Sequence, residues 1–290
     1  MSAYGASPTR RRRTKAEMET LKEALLELVA AEEPMTVRQV FYRAVSAGLV
    51  AKTETEYKAT VGRLLSEMRR QGEMPFGWIA DNTRWMRKPF TYHGLKGFLE
   101  AAASQYRRAL WDSQGVYVEV WLEKDALAGV LYQATAAWDV PLMVTRGYPS
   151  LAFLHSAAET IKGEAKPTYL YYFGDWDPSG VHIPRRVEQD LRAFAHGVEI
   201  HFERVAVNPD QVAEWSLPTR PTKATDTRSR NFDGESVEVD AIPPSTLRDI
   251  ATACIAQHVD QQALDLTRRV ERDEREILTN FARVRDGGGP

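Results

Sequence analysis

Four short runs rich in apolar, β-branched and aromatic residues, spaced by stretches long enough for helices, constrain this chain most. Positions 116–122, 142–145, 168–173 and 198–205 read as strands, and 125–138 and 150–162 as helices between the first three. Antiparallel neighbours can be joined by a tight turn, whereas connections of this length are crossovers between parallel strands. The second part of the chain is therefore expected to be α/β, a mainly parallel sheet with helices on both faces. Positions 247–284 read as added C-terminal helices. Positions 207–244, rich in Pro, Thr, Asp and Arg and weakly periodic, read as a long loop or partly ordered excursion.

The first part has a different texture. Met18, Leu21, Leu25, Leu26 and Val29 fall on one face of a helix over 16–31, which Pro34 interrupts. Thr36 and Gln39 have capping-box spacing and start a second helix whose apolar positions are Val37, Val40, Phe41 and Val45, with Gly48 as its stop. Thr53 and Glu56 repeat that cap before a third helix with Val61, Leu64, Leu65 and Met68 inward and Lys58, Arg63, Arg69 and Arg70 outward. Positions 72–84, with Pro75, Gly77 and Trp78, read as short strands or a hairpin. Three helices and a hairpin describe a winged helix-turn-helix (CAP-like) unit. The expected organisation is a flexible basic arm over 1–15, the winged unit over 16–90, a connector over 91–114 and the α/β domain over 115–290.

Charge separates the same two parts. Residues 1–110 hold 19 Lys and Arg against 12 Asp and Glu, a net +7, and the remainder holds 19 against 28, a net −9. A basic unit suits a polyanion such as double-stranded DNA, and an acidic one suits a metal cation. Arg63, Arg69 and Arg70 are candidate contacts to a DNA backbone, with solvated helix cations as the plain alternative. No apolar run approaches the ~20 residues that cross a bilayer, and the N-terminal arginines precede no hydrophobic stretch. A single cysteine, Cys254, permits neither an intrachain disulfide nor a cysteine-rich zinc site, so a reducing, cytoplasmic setting is expected.

The chemistry concentrates at strand ends. Glu123 follows the first strand and Asp175-Trp176-Asp177 follows the third. In a right-handed parallel sheet these carboxyl ends share one edge, where sites form. Three carboxylates there offer hard oxygen ligands for Mg2+, with Mn2+ as a possible substitute. A D-x-D after a strand also makes a turn or caps a helix, and Glu123 can serve as general acid or base instead of ligand. Lys124, His182, Arg185 and Arg186 flank the edge and are candidate phosphate contacts. An EF-hand counted from Asp175 would place Arg186 where a bidentate glutamate is required, and neither a P-loop nor a zinc-protease motif occurs. The calcium-loop reading therefore fails, ATPase and zinc-hydrolase readings are disfavoured, and no ATP site is expected in this chain.

Val37-Arg38-Gln39-Val40-Phe41-Tyr42 resembles the catalytic-tyrosine motif of the topoisomerase VI A subunit and its meiotic double-strand-break relatives. The second part is similar to their Toprim domain through Val120-Trp121-Leu122-Glu123-Lys124, Arg146-Gly147-Tyr148-Pro149 and Gly174-Asp175-Trp176-Asp177-Pro178-Ser179-Gly180. The resemblance covers about 16–205, and the chain's length is most like the stand-alone Mini-A group. It implies a type IIB topoisomerase-like reaction, with Tyr42 as nucleophile forming a reversible 5'-phosphotyrosyl bond, and Glu123, Asp175 and Asp177 organising Mg2+. It also implies a homodimer whose active sites form in trans and make staggered cuts, and, for complete topoisomerase VI, a separate ATPase B subunit. Arg38, one helical turn before Tyr42, is placed to stabilise a phenolate, since a phenol with pKa near ~10 is a poor nucleophile at neutral pH. The alternatives are a Toprim endonuclease with no covalent intermediate and a non-catalytic DNA-binding regulator.

Overall fold

The computed structural model describes residues 13–80, 89–221, 232 and 234–284. The chain divides into two compact units, Met1–Ala80 and Asp81–Pro290. In the first, α1 (Lys15–Glu32) begins at a capping box in which Thr14 Oγ1 accepts from the Glu17 N–H, and it buries Leu21, Leu25 and Val29. Residues 1–12 of the expected basic arm lie outside the described residues. Of its last three residues, Arg13 pairs with Glu56 at 2.8 Å, Thr14 caps α1 and Lys15 is the first residue of that helix. The second helix, α2 (Val37–Ser46), has the expected Thr36/Gln39 box and buries Val40, Phe41, Tyr42 and Ala44.

The third helix opens as a π-helical stretch, Glu56–Gly62, and becomes α-helical over α3 (Arg63–Gln71), with Leu64, Leu65 and Met68 buried. Thr53 Oγ1 accepts from the Glu56 N–H as the spacing predicts. After Gly72 the expected hairpin is absent among the described residues. Phe76–Trp78 form a 3-10 turn behind Pro75, and the chain returns to make one parallel bridge, Met35 with Ile79. Proline supplies no N–H for a ladder at that point. Positions 81–84 of the predicted segment lie outside the described residues.

The second unit is mixed α/β. Its elements are α4 (Leu95–Gln105), β1 (Tyr117–Leu122), α5 (Ala128–Ala137), β2 (Leu142–Val144), α6 (Leu151–Glu164), β3 (Thr168–Phe173), α7 (Pro178–Phe194), β4 (Ile200–Ala206), α8 (Pro209–Glu214), α9 (Pro244–Ala256) and α10 (Gln261–Val284). The four strands form an all-parallel sheet in the order β2-β1-β3-β4. Residues 91–114, read as a connector, contain α4, which packs on α10; the Arg275 guanidinium donates to the Tyr106 carbonyl at 2.8 Å. The C-terminal helices expected over 247–284 are α9 and α10, divided where Asp260 Oδ1 accepts from the N–H groups of Gln262 and Ala263 and starts α10 afresh. Among the described residues no helix is long and apolar enough to cross a membrane.

Alternation along the strands sorts residues to two faces. Tyr117, Trp121, Leu170, Tyr172 and Ile200 form a core with α6 and α7. Val118, Val120 and Leu122 are buried on the other face, where the Tyr171 hydroxyl reaches Gln257 and His258 at the end of α9.

The first face carries an anomaly, Glu119, which is 1% exposed. Its carboxylate accepts from the Tyr117 hydroxyl at 3.0 Å and from Trp121 Nε1 at 2.7 Å. Burial pushes its pKa up to about 7, although these two hydrogen bonds hold it down in part. An unfolded glutamate titrates near ~4.3. Between those values the folded chain keeps a proton that the unfolded chain releases, so stability falls as pH rises across that window, by up to ~3 kcal/mol. Glu119→Gln can keep both contacts, because the Tyr117 hydroxyl can turn to accept from the new amide. The variant is expected to gain ~2–3 kcal/mol over the wild type between pH 5 and pH 8 in urea unfolding. Parallel pH profiles for the two proteins would refute this.

Candidate active site

Glu123 continues the row Tyr117, Glu119, Trp121, and the register pairs Leu122 with Phe173, so Glu123 and Gly174 emerge side by side. A Cβ on Gly174 would lie 2.6 Å from both Glu123 Oε2 and the Tyr172 ring, so glycine leaves room here for the Glu123 carboxylate and that ring. The next N–H, of Asp175, donates to Glu123 Oε2 at 3.2 Å. Asp177 caps α7: its Oδ1 accepts from the Gly180 N–H at 2.7 Å, with Pro178 at the first helical position. The capping role foreseen for a D-x-D is therefore realised at Asp177, at the same sheet edge as Glu123 and Asp175.

Arg204, on β4, holds this loop from behind. Its guanidinium donates to the carbonyls of Asp175 at 2.6 Å, Gly180 at 2.7 Å, Val207 at 3.0 Å and Gly174 at 3.1 Å, and lies over the Trp176 ring at 5.6 Å. Sequence reasoning missed it. Its place in phase with Ile200 and Phe202, on the inward row of β4, was the available signal, since a charge there has to find partners.

Residues 207–244, expected as a loop, supply the other missed groups. Trp176 and Val237 exchange two backbone hydrogen bonds, both 2.8 Å, and Arg220 and Ser236 exchange another pair at 2.9 and 2.8 Å. These bonds lay a strap, Ser236–Ala241, against the D-x-D loop, and the Val239 N–H donates to Asp175 Oδ1 at 2.8 Å. The strap delivers Glu238 and Asp240. Lys124 Nζ lies 3.0 Å from Glu238 Oε2 and 3.4 Å from Asp175 Oδ1, and is in closer contact with Asp240 Oδ2. Arg220 reaches Glu238 at 2.8 Å and Asp177 at 3.7 Å. Asp240 is 1% exposed, and its Oδ1 has no hydrogen-bond partner among the described residues. The acidic edge thus holds five carboxylates, where the sequence pointed to three.

The electrostatics follow. Burial, reinforced by the charges of Asp175 and Asp177 and opposed by the Asp175 N–H and Arg204, pushes Glu123 up to about 7. Burial also raises Asp175, against the pull of Lys124 and the Val239 N–H. Lys124 pays for burial, but Asp240, Asp175 and Glu238 more than offset this and raise its pKa. Among the described residues, no three acidic, histidine or cysteine side chains stand in a ready ligand arrangement. The carboxylate oxygens around Lys124 lie at ammonium distances, about 1 Å beyond those of Mg2+.

Flanking groups divide. Arg146 and Gly147, at the end of β2, both have positive φ (54° and 83°); Arg146 pairs with Asp125 at 3.2 Å, and the Tyr148 hydroxyl lies 2.8 Å from His182 Nδ1. Arg185 and Arg186 are exposed on α7, the latter paired with Asp190 at 2.8 Å.

In the first unit, Tyr42 is 5% exposed, with its ring 5.7 Å from that of Phe41. Lys52 Nζ sits over the Tyr42 ring at 5.4 Å, whereas the Arg38 guanidinium sits over Tyr57 at 5.0 Å. Lys52, outside the helix that carries the tyrosine, was invisible to helical spacing. Arg63 pairs with Glu67 at 2.6 Å, Arg69 lies over Phe76 at 5.8 Å, and Arg70 is exposed. Comparison of the whole chain with family models and with curated proteins finds no match.

Proposed function

We propose that this chain cleaves and rejoins double-stranded DNA by tyrosine transesterification, in the manner of the topoisomerase VI A subunit. In this reading the first unit is a winged-helix domain carrying Tyr42 and the second a Toprim domain carrying the acidic edge. One observation carries it: Glu123 and Asp175 touch, and Asp177 stands two residues on, at the carboxyl edge of an all-parallel sheet. This juxtaposition comes from strand ends 52 residues apart.

The donor set fits a hard divalent cation. Glu123, Asp175 and Asp177 offer only oxygen, and the buried, unpartnered Asp240 Oδ1 is an orphaned acceptor in the same cluster. Glu123, Asp175 and Asp177 would hold Mg2+ or Mn2+, which would supply Lewis acidity toward a phosphate oxygen.

The protein's own groups account for the remainder. The Tyr42 oxygen attacks phosphorus, the P–O3' bond breaks, and the 3' oxygen leaves with a proton, giving a 5'-phosphotyrosyl ester. Lys52 favours the negative charge that develops on the phenol as its proton departs. One phosphodiester replaces another, so the step is reversible without ATP. Arg63, Arg69 and Arg70 on α3 would meet the DNA backbone, and a homodimer would cut both strands. A separate ATPase subunit would be needed only to drive strand passage.

The test is supercoiled plasmid incubated with Mg2+, quenched in detergent and split into protease-treated and untreated samples. Protein-linked 5' ends are expected. Free ends in every sample would overturn the covalent mechanism and favour a metal-dependent endonuclease, the reading that the low exposure of Tyr42 favours.

A further inference from the structure

Lys124 sits in a place built for a cation. Asp175 Oδ1, Glu238 Oε2 and Asp240 Oδ2 come from the D-x-D loop and the strap, and all three converge on its Nζ. We propose that Lys124 and a divalent metal cation compete for this one seat, which makes Glu238 and Asp240 members of the metal-binding surface.

Charge argues for it. Glu123, Asp175, Asp177, Glu238 and Asp240 are faced by Lys124, Arg204 and Arg220, which leaves two negative charges when every carboxyl group is ionised. Arg204 is committed to backbone carbonyls and Arg220 to the strap, so Lys124 is the cation whose departure frees oxygens. Its side chain is 26% exposed and has a way out to solvent, whereas Asp240 is fully buried. Asp240 Oδ1, unpartnered beside an oxygen already bound to the ammonium, keeps lone pairs for a second bond to an incoming ion. An ammonium holds oxygens near 3 Å and Mg2+ near ~2.0–2.1 Å, so exchange draws the strap toward the D-x-D loop. Lys124, once released, is left beside the edge where a phosphate would dock.

The inference rests on the reading that this edge binds a divalent cation and is independent of DNA cleavage. Its test is Mn2+ binding to the full chain by calorimetry, for the wild type, Lys124→Met and Asp240→Asn, without DNA. Lys124→Met is expected to tighten Mn2+ ~10-fold or more by removing the competitor, and Asp240→Asn to weaken it ~10-fold. A second measurement needs no variant: acetylation of Lys124 in the wild type, followed by mass spectrometry, is expected to rise with Mn2+ and saturate where binding does. Mn2+ binding with unchanged Lys124 labelling, or an unchanged or weaker affinity in Lys124→Met, would overturn competition and leave the metal reading standing. No Mn2+ binding by any of the three proteins would overturn both.

Discussion

Tyr42→Phe is expected to remove protein-linked 5' ends altogether, a fall on the order of 10^4-fold or more in covalent complex, while the protein stays folded and still binds DNA. The substitution deletes one oxygen. The ring keeps its packing against Phe41 and its position beneath Lys52, and loss of a buried hydroxyl costs only about 1 kcal/mol. A fold defect and a chemical defect therefore separate: thermal unfolding moves little, salt-sensitive DNA binding persists, and only the bond between protein and DNA disappears. No other phenol takes over readily. Tyr57 lies under Arg38 with its ring 5.3 Å from that of Phe41, and it belongs to the π-helical stretch and not to α2. Linked ends that persist in the variant would place the nucleophile elsewhere, and free ends that persist would assign cleavage to water.

What the sequence made legible was local. Capping by Thr36 and Gln39 and the apolar runs that became β1 and β3 depend on hydrogen bonds and side-chain directions within a few residues, so pattern reading finds them. Glu123 and the D-x-D were also legible, because a parallel sheet sends its strand ends to one edge. Glu238 and Asp240 were not. They are brought there by the Trp176–Val237 and Arg220–Ser236 pairings, which are single bridges and leave no periodic trace in a Pro- and Thr-rich tract. Lys52 escaped for a related reason: helical spacing nominates Arg38 as the cation near Tyr42, while a side chain from the following loop stands over the ring. Asp177 was read both ways, as ligand and as cap; the cap is realised through Oδ1, while Oδ2 faces Arg220.

A single added methyl group is expected to be severely damaging at Gly180. Its added Cβ would stand 2.1 Å from the Asp175 carbonyl oxygen and 2.9 Å from that carbonyl carbon, both backbone atoms that no rotamer change can move. The loop cannot yield, because Arg204 ties the carbonyls of Gly174, Asp175 and Gly180 to one guanidinium. Gly180→Ala must therefore force the first turn of α7 away from the loop. That movement breaks the Asp177 cap, worth about 1 kcal/mol, adds an overpacking cost of roughly 1–3 kcal/mol, and strains charge-assisted bonds from Arg204 worth a further ~1–2 kcal/mol. A loss of about 3–6 kcal/mol in urea unfolding is expected, together with loss of Mn2+ binding as Asp175 is drawn from Glu123. Gly163→Ala is the control. Gly163 is helical in α6 and a Cβ there meets nothing within 4 Å, so alanine should be neutral or stabilise by ~0.5–1 kcal/mol. If Gly180→Ala falls within ~1 kcal/mol of the wild type, the loop is not held as Arg204 implies, and the rigid seat for Asp175 and Asp177 goes with it.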